Sequence, residues 1–487
     1  MINSLRTRGT NILSENGSIF LFAGLGLFLR FWQLGNKNFW LDELGVANAA
    51  FQSTISQTLS AANEHIMAMP LDYVVAWLTA RISHAEGWLR LPEAIWGCLT
   101  LWAGYKLYTK LGDNQRVARL ALLMLALSPI LIEYSQELRF YAPLIFFFTY
   151  SMYLGLEAVE FSRPRDWLVF TLVTLLGIYF HLYTILAVGS VLLWLTVYFG
   201  KENWAQRRNS FALSALVLAA AFLVAMFTFG GVYAERKLSL FMYERFSTFL
   251  FTGLGWWPSF PASPSGWLLG TLFMLFALVG VLTCILRNSV GRTALLFYGM
   301  VLQIGMVILF DILRNYPLLA RQIVMLAPTM IFFSARGVNW LIEQIIDRLK
   351  LTIKSPLLTI GVVILIILAA FPALNDYYQV KKGSQQDILS VLTEHWQTQE
   401  SIHVEVGALE VFAYYWSRDS NKQSLVHALT PLDYNSSDKW DYPAPAWLVI
   451  NYPPSELTEA ALRSAGFVPF YMPPSNTLYP QMLWRRK

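Results

Sequence analysis

The stretch SIFLFAGLGLFLRFWQLG, residues 18–35, decides the class of fold, and NFWLDELGVANAA, residues 38–50, follows it almost at once. A predominantly apolar run of this length is close to the ~20 residues with which a helix crosses a bilayer. Arg6 and Arg8 precede the run and no small-residue cleavage pattern follows it, so we interpret it as a retained first span. Arg30, near the far end, is expected to snorkel towards the membrane interface.

The composition of the whole chain agrees with this opening. Of its 487 residues 56% are hydrophobic and only 14% are charged, and the mean hydropathy is +0.45, which excludes a soluble globular protein. The net charge of +5 is small, and no basic tract indicates a nucleic-acid partner. Cys98 and Cys284 each lie in an apolar run, which argues against a disulfide framework or a cysteine metal site.

Apolar runs recur along the chain and predict an all-α polytopic membrane bundle with about eleven crossings of ~20 residues each. After the first, the predicted spans cover residues 90–109, 117–133, 139–159, 166–181, 182–200, 209–230, 264–287, 292–313, 317–340 and 355–374. The block PLDYVVAWLTARISH, residues 70–84, is harder to place, because counting it as a crossing inverts every later loop.

The positions of Lys and Arg decide between these topologies, because cytoplasmic loops carry an excess of both residues. With the N-terminus inside and residues 70–84 not crossing, the inner loops collect the basic residues Lys106, Lys110, Arg116, Arg119, Arg163, Arg165, Lys201, Arg207, Arg208, Arg287, Arg292, Arg348, Lys350 and Lys354. The outer loops around residues 36–69, 134–138 and 181–183 then hold only Lys37. We therefore predict that residues 70–84 form a helix that packs in, or dips into, the outer leaflet.

The composition changes after residue 374, where apolar runs shorten and Pro recurs. The pieces SIHVEVG, PAWLVINYP and GFVPFYMPP are typical of strands, and DILSVLTEHW, ALEVFAYYW and SELTEAALRSAG are typical of helices. We predict a membrane domain over residues 1–374 and a small soluble α/β domain over residues 375–487 on the outer face.

Ionisable and aromatic polar residues gather at the predicted outer ends of the spans, where such residues are functional candidates. They are Asp42, Glu43, Glu64, His65, Asp72, Glu133, Tyr134, Glu137, Arg139, Tyr141, His181, Tyr183, Arg236, Lys237, Arg245, Arg314, Tyr316 and Arg321. Acids come from the early loops and bases from the late ones. This arrangement suits chemistry that needs both signs of charge.

Each candidate also has a purely structural explanation. Asp42 and Glu43 follow Trp40, so an aromatic anchor and a helix cap would account for them, although an acid pair held against a bilayer loses hydration and favours function. An internal ion pair between Glu137 and Arg139 explains these two residues as well as a functional role does.

Structural explanations also exist for the remaining candidates. His181 is also explained as a histidine at the membrane interface whose hydrogen bonds are satisfied. Arg321 is explained by an ion pair with an acid of an early loop, and the bases at 236–245 are explained as solvated charges of a loop. Glu64, His65 and Asp72 match no strong metal-ligand spacing.

A single reaction would use all of these groups together. A carboxylate acts as general base on an acceptor hydroxyl or amine, and nearby cations stabilise a phosphate leaving group as its bond breaks. A cleft at the interface would admit a lipid-linked donor from the membrane and a polar acceptor from water. The pattern therefore indicates sugar transfer from a lipid phosphate.

Six motifs, in order along residues 18–340, carry a family resemblance. They are FWLDE, EHIMAMPLDY, WLRLPEAIWG, LSPILIEYSQELRFYAP, HLYT and ARQIVMLAP. In these the chain resembles the membrane glycosyltransferases of the GT-C fold, in particular protein O-mannosyltransferases and the bacterial aminoarabinose transferases of lipid A. The resemblance implies a polyprenyl-phosphate sugar as donor, a lipid, glycan or protein as acceptor, and inversion at the anomeric centre.

The resemblance also implies roles for individual residues. Asp42 matches the family's catalytic acid in the first outer loop, with Glu43 beside it. The implied donor and phosphate site comprises Arg139, Tyr141, His181, Tyr183, Tyr316 and Arg321, and the implied acceptor side or supporting layer comprises Glu64, His65, Asp72 and Glu137.

Two departures from the family pattern matter. The family places His or Lys directly before Pro-Pro-Leu, whereas IMAM separates His65 from Pro70 here and Asp72 follows. The second outer loop lacks the acidic Asp motif of the aminoarabinose transferases, so dependence on a divalent cation stays open.

Three rival functions remain. A glycan ligase or polymerase with a polyprenyl-pyrophosphate donor needs the same cations. A transporter would place its charges near the midplane between internal repeats, and a binding module on a membrane anchor needs far fewer spans. For the transferase we expect a bacterial inner membrane with the site facing the periplasm.

Overall fold

The protein is described from a computed structural model. The structure describes residues 2–63, 69–112, 114–198, 200–229, 246–254, 264–314, 319–348, 356–397, 399–417, 429–432, 444–452, 454–475 and 477–486. These residues form two compact units. The first unit comprises Met1–Leu34 and Ala49–Tyr377, and the second comprises Gly35–Asn48 and Tyr378–Lys487.

Helices dominate the first unit. In chain order, and including α2, whose first part belongs to the second unit, they are α1 (Ile2–Phe31), α2 (Leu41–Ala50), α3 (Ile55–Asn63), α4 (Pro70–Ala80), α5 (Glu86–Leu89), α6 (Leu91–Leu111), α7 (Gln115–Leu127), α8 (Pro129–Ser135), α9 (Tyr141–Phe161), α10 (Pro164–Phe180), α11 (Ala187–Leu193), α12 (Gly200–Phe229), α13 (Phe246–Leu254), α14 (Pro264–Arg287), α15 (Arg292–Arg314), α16 (Ala327–Arg348) and α17 (Pro356–Gln379).

Among the described residues, six helical stretches are long and apolar enough to cross a membrane, and the broken pair α7 and α8 makes a seventh if it counts as one span. The six are Tyr141–Phe161, Arg207–Phe229, Trp267–Arg287, Arg292–Leu313, Ala320–Arg348 and Leu357–Gln379. All seven coincide with predicted crossings. The other four predicted crossings, at α1, α6, α10 and residues 182–200, stay predictions, so the total of about eleven is not established.

The predicted span over residues 117–133 is not straight. It breaks between α7 and α8, whose axes differ by 56°. Ser128 adopts an extended backbone (ψ 114°) and Pro129 begins α8. Proline disfavours a helical conformation in the residue before it and lacks the N–H that would continue the hydrogen-bond ladder. The chain therefore turns where the sequence analysis expected a continuous helix.

The prediction that Arg30 snorkels is wrong, because its side chain is fully buried. Its Nη2 donates to the carbonyl of Leu125 at 3.2 Å, and its Nη1 donates to the carbonyls of Gly26 at 3.0 Å and Ala126 at 3.4 Å. The last carbonyls of a helix have no partner within it. Arg30 satisfies those at the end of α7, just before the break.

Residues 182–200 also differ from the single span that the sequence predicted. They form a 3-10 turn (Leu182–Leu186), the short helix α11 and a π-helical turn (Trp194–Tyr198). Irregular helix leaves backbone groups to be satisfied by neighbours. Gln303 of α15 does so, because its Nε2 donates to the carbonyl of Leu186 at 3.0 Å and to Ser190 Oγ at 2.9 Å.

Helix α4 occupies the ambiguous block at residues 70–84. It has 11 residues, which corresponds to about 16 Å and is too short to cross a hydrocarbon core of ~30 Å. Pro70 begins the helix. The prediction that this block does not cross as a helix agrees with that length.

The C-terminal end of α9 carries an ionic cluster. Lys110 forms an ion pair with Glu157 and, at 2.9 Å, with Glu160, and Arg292 lies 3.4 Å from the same Glu160. Arg207 Nε donates to the carbonyl of Val159. The basic residues of this cluster all belong to the loops predicted to be cytoplasmic. Helix α9 is about 31 Å long, and the predicted outer residues Arg139 and Tyr141 lie at its other end.

The described residues of the second unit form two sheets and three further helices. The strands are β1 (Lys381–Gly383), β2 (Ser401–Glu405), β3 (Leu429–Leu432), β4 (Ala446–Asn451), β5 (Val468–Tyr471), β6 (Thr477–Tyr479) and β7 (Gln481–Arg486), and the helices are α18 (Gln385–His395), α19 (Val406–Ser417) and α20 (Glu456–Ser464). The larger sheet has the order β3-β2-β4-β7-β5, with β2 parallel to β3 and β4, and with β7 antiparallel to β4 and β5. All three predicted strands and all three predicted helices are present, and β1, β3, β6 and β7 were not predicted.

The second unit also includes residues 35–48, although the sequence predicts them as part of the membrane domain. The backbone N–H of Phe39 donates to the Tyr415 hydroxyl, and the rings of Phe39 and Tyr414 lie 5.9 Å apart. Glu43 Oε2 lies 3.2 Å from Lys382 Nζ. Both partners of this ion pair are buried. The unit is therefore built from two separate parts of the chain.

Candidate active site

The predicted site residues divide between the two units. Asp42 and Glu43 belong to the second unit, and Asp72, Glu133, Tyr134, Glu137, Arg139, Tyr141, His181, Tyr183 and Arg321 belong to the first. Glu64, His65, Arg236, Lys237, Arg245 and Tyr316 lie outside the described residues, as does the side chain of Arg314.

The joint between α8 and α9 positions Arg139. After α8 ends at Ser135, a tight turn follows in which the N–H of Arg139 donates to the carbonyl of Glu137 at 2.7 Å. The guanidinium of Arg139 then lies 4.7 Å from the ring centre of Phe140 and 5.9 Å from that of Tyr141. An arginine stacked on aromatic faces keeps its planar donors available at the edge.

Tyr134 and Tyr141 form a pair across this joint. Their ring centres are 4.6 Å apart and both side chains are buried. Tyr134 interacts electrostatically with Glu133, Tyr141, Glu137 and Arg321. The structure therefore brings Arg321, which is 180 residues further along the chain than Tyr141, to the same tyrosine pair as Arg139.

A 3-10 segment, Ala320–Leu326, carries Arg321. Gln322 fixes its start, because the side-chain Oε1 accepts the N–H of Leu319 at 2.6 Å. Gly253 of α13 makes the segment's close packing feasible, since a Cβ there would lie 2.5 Å from the carbonyl oxygen of Ala320. Arg321 is half-buried.

His181 ends α10 and caps the turn that follows. Its Nδ1 accepts the N–H of Tyr183 at 3.1 Å, which assigns the ring proton of the neutral imidazole to Nε2. The ring centre lies 4.6 Å from Phe140 and 4.9 Å from Tyr183. His181 also interacts electrostatically with Arg139. The HLYT turn and the Arg139 loop are therefore direct neighbours.

Tyr183 borders an apolar cavity. Its hydroxyl donates to Asp311 Oδ1 at 2.8 Å, and its ring helps to enclose a cavity of about 380 Å³. The other lining side chains include Leu186, Leu302, Met306 and Phe310. This cavity can accept a hydrocarbon chain next to the polar groups around His181.

An acidic group lies on the other side of Arg139. Asp72 of α4 interacts electrostatically with Arg139, and Glu93 of α6 interacts with Asp72 and Glu137. Asp72 and Glu93 are 3% and 2% exposed. Within the part of the chain that the structure describes, Asp72 Oδ2 and Glu93 Oε2 accept no hydrogen bond. Asp72 is therefore an electrostatic neighbour of both Arg139 and Glu93.

In the second unit, α2 presents Asp42 and Glu43 in its first turn. Glu43 Oε2 accepts the N–H of Trp40 at 3.4 Å in addition to its ion pair with Lys382. A Glu three residues after the capping position commonly satisfies this N–H. Asp42 is half-buried. The two adjacent acids thus differ in environment, with Glu43 engaged in the packing of its unit.

No metal-binding group is evident over the described ranges. Among those residues, no set of three or more His, Cys, Asp or Glu side chains is placed to hold an ion. Asp72 is the only described member of the Glu64, His65 and Asp72 set that the sequence analysis considered.

Comparison with known proteins identifies the fold. A family model described as dolichyl-phosphate-mannose-protein mannosyltransferase matches residues 69–233, and no curated protein matches the chain. ArnT of Cupriavidus metallidurans in its apo state has a TM-score of 0.52 and 14% identity, over 97% of this chain and 98% of that one. The chain has the GT-C fold. ArnT bound to undecaprenyl phosphate gives a TM-score of 0.51 and 12% identity, over 96% and 98% of the two chains.

A third GT-C structure is similar over less of its length. The apo oligosaccharyltransferase of Archaeoglobus fulgidus has a TM-score of 0.50 and 13% identity, over 86% of this chain and 64% of that one. The GT-C fold and the long apolar helices together make this chain an integral membrane protein.

Two residues near the site, Glu93 and Gln136, are not among the site residues predicted from the sequence. Glu93 lies within the WLRLPEAIWG motif but was hidden at the start of an apparent membrane span, and an acid in the first turn of such a helix is the signal that could have revealed it. Gln136 lies inside the YSQELRFYAP run between two charged candidates. Its long-range contacts leave no trace in the local sequence.

Proposed function

We propose that this chain is a membrane glycosyltransferase that moves a sugar from a polyprenyl-phosphate donor to a lipid, glycan or protein acceptor. One observation carries the proposal: Arg139 and Arg321 both interact with the buried pair Tyr134 and Tyr141, within a chain of GT-C fold. Two guanidinium groups can bind a phosphate, and the apolar and aromatic side chains beside them suit the lipid to which the phosphate is linked.

The reaction needs one base and a stabilised leaving group. An acceptor hydroxyl attacks the anomeric carbon, and Asp42 takes its proton as the new C–O bond forms. The bond from the anomeric carbon to the phosphate oxygen breaks, and its electron pair leaves with the polyprenyl phosphate. Arg139 and Arg321 stabilise the charge that develops there. A single displacement of this kind inverts the anomeric centre.

Two observations support a donor that carries a lipid. ArnT of Cupriavidus metallidurans, which has the same fold, was solved with undecaprenyl phosphate bound. The apolar cavity beside Tyr183 offers this chain a place for several carbons of an isoprenoid tail. His181 and Tyr183 would then lie where the tail meets the phosphate. Tyr316, Glu64 and His65 keep the donor and acceptor roles that the family resemblance implies.

The site is proposed to face the periplasm from a bacterial inner membrane. The basic residues of the predicted inner loops cluster at one end of α9, around Lys110 and Arg292, and Arg139 lies at the other. An excess of Lys and Arg is typical of the cytoplasmic side. The end that carries Arg139 is then the outer one.

Asp42→Asn tests the assignment of the base. We expect the variant to lose transfer by at least about 100-fold, because general-base catalysis contributes on that order, and to remain folded in detergent. Asp387→Asn is the control, since Asp387 lies in the same unit and pairs with Lys381 at 3.0 Å. The measurement is the loss of radiolabelled sugar from undecaprenyl-phosphate and undecaprenyl-pyrophosphate donors. An active Asn variant would refute Asp42 as base, and loss of label only from the pyrophosphate would indicate a ligase or polymerase.

Arg321→Ala tests the phosphate site. We expect the dissociation constant for undecaprenyl phosphate to rise about 10- to 100-fold, as a lost hydrogen bond to a charged group predicts. Arg163→Ala is the matched control, because Arg163 follows the opposite end of α9 and stacks on Phe161. Equal effects of the two variants would count against the phosphate role.

A further inference from the structure

Gln136, between α8 and α9, joins three parts of the first unit. Its Nε2 lies within hydrogen-bond distance of the carbonyl oxygens of Leu29 (3.2 Å), Arg30 (3.0 Å) and Trp32 (2.7 Å). Its Oε1 accepts the hydroxyl of Tyr377 at 2.8 Å. Gln136 is 4% exposed, so these bonds form away from water. One side-chain amide thus contacts two distant helices.

The contacted groups belong to helix ends. Leu29 and Arg30 are in the last turn of α1, whose carbonyls have no partner within that helix, and Tyr377 is in the last turn of α17. The chain leaves the first unit just after both ends, at residue 34 and at residue 377. Gln136 therefore connects the ends of α1 and α17 to the loop that leads to Arg139.

The same loop has little freedom on its other side. Ser135 Oγ donates back to the carbonyl of Leu131, and a Cβ at Gly97 of α6 would clash with Ser135 Oγ. The N–H of Gln136 donates to the carbonyl of Glu133 at 2.9 Å. With α6 against one face, the amide of Gln136 joins the start of residues 136–141 to the ends of α1 and α17.

We propose that Gln136 is a positioning residue of the donor site, which holds the Arg139 loop against the ends of α1 and α17. The role of Arg139 in this statement rests on the proposed function. Loss of the amide removes the hydrogen bonds that Gln136 donates to the carbonyls at the end of α1, and buried hydrogen bonds are costly to lose. The loop then moves to restore hydrogen bonding, and Arg139 moves with it.

The test uses the full-length protein in detergent, three single variants and the double variant of Gln136→Leu with Tyr377→Phe. Gln136→Leu removes the whole set of bonds at similar volume, and Tyr377→Phe removes one hydroxyl. Tyr108→Phe is the matched control, because the buried Tyr108 also donates one bond of 2.8 Å, to the carbonyl of Pro328 near the other end of α6. The first measurement is amide hydrogen exchange over residues 29–34 and 131–141. The second is the dissociation constant for undecaprenyl phosphate.

We expect faster exchange in both segments for Gln136→Leu and Tyr377→Phe but not for Tyr108→Phe. We expect roughly tenfold weaker undecaprenyl phosphate binding in Gln136→Leu, on the order of one lost hydrogen bond to a charged group. Tyr377→Phe should add nothing when Gln136 is already Leu, because its effect acts through the amide. Additive effects in the double variant would overturn the proposal.

Unchanged exchange over residues 131–141 in Gln136→Leu would also overturn it. If Gln136→Leu does not fold, the comparison of Tyr377→Phe with Tyr108→Phe decides, and equal exchange in these two variants contradicts the positioning role. If the wild type does not bind undecaprenyl phosphate, the proposed function fails, whereas the exchange data still decide whether Gln136 holds the loop.

Discussion

Glu93 lies in the first turn of α6 with Asp72 and Glu137 as electrostatic neighbours. Its side chain is almost fully buried. Carboxylates held together away from water repel one another and lose their hydration, and Arg139 beside Asp72 offsets part of this cost. At the scale of a single residue, this position is costly for a charged group.

Glu93→Gln should therefore stabilise the first unit. It replaces a carboxyl whose ionised form is disfavoured by burial and the nearby acids with a neutral amide of nearly the same volume. We expect the unfolding temperature to rise by about 1–4 °C, as a gain of up to ~1 kcal/mol would produce. Glu93→Ala removes the same carboxyl but leaves a cavity, and we expect the unfolding temperature to fall instead. Thermal unfolding of the full chain in detergent measures both. A lower temperature for Gln than for Ala would contradict the repulsion argument.

Some site residues could be recognised from the sequence because their chemistry is unusual where they occur. Arg139, His181 and Arg321 stand out as polar residues at the ends of apolar runs, and the structure brings them to one region. Arg30 was misinterpreted because the sequence does not reveal that α7 ends beside it with unsatisfied carbonyls. The carbonyl of Leu125 follows Arg30 by 95 residues, so no local pattern in the sequence indicates this hydrogen bond.

At the scale of elements, apolar length predicted where helices lie but not where they break. Pro129 was visible in the sequence, yet proline is tolerated within membrane helices, so its presence alone did not indicate the 56° bend. Strand β2 was predicted because its apolar residues alternate, whereas β1 and β6, with three residues each, are too short to show an alternation.

Strand β2 carries a histidine that makes the second unit sensitive to acid. His403 lies between Ser401 Oγ at 3.0 Å and Thr430 Oγ1 at 2.6 Å, and burial lowers its pKa from 6.5 to about 4. The folded state therefore disfavours the protonated ring. The stabilisation is complete above pH 6.5 and is lost progressively as the pH falls towards 4.

We expect the second unit to lose about 1 kcal/mol between pH 7 and pH 5, since solvent screens the half-buried side chain. His403→Gln should flatten this dependence, whereas His395→Gln, at an exposed position of α18, should not. Tryptophan fluorescence of the full chain during thermal unfolding at both pH values measures this. The same slope in wild type and His403→Gln would exclude the histidine as its source.

At the scale of the whole molecule, the fold could be predicted from six ordered motifs, each weak by itself. The division into units could not, because nothing in residues 35–48 indicates that they pack with residues beyond 377. Their partners, such as Tyr415 for Phe39, follow more than 300 residues later. A prediction from composition assigns such a segment to its nearest neighbours in sequence.

The ion pair between Glu43 and Lys382 has a consequence for biosynthesis. The ribosome makes the two residues 339 positions apart. At about 5–20 residues per second, the acid waits roughly 17–70 s for its partner. Throughout that interval the segment that carries Glu43 lacks both Lys382 and the strands of its unit. An acidic first turn that keeps the segment hydrated would then protect the nascent chain.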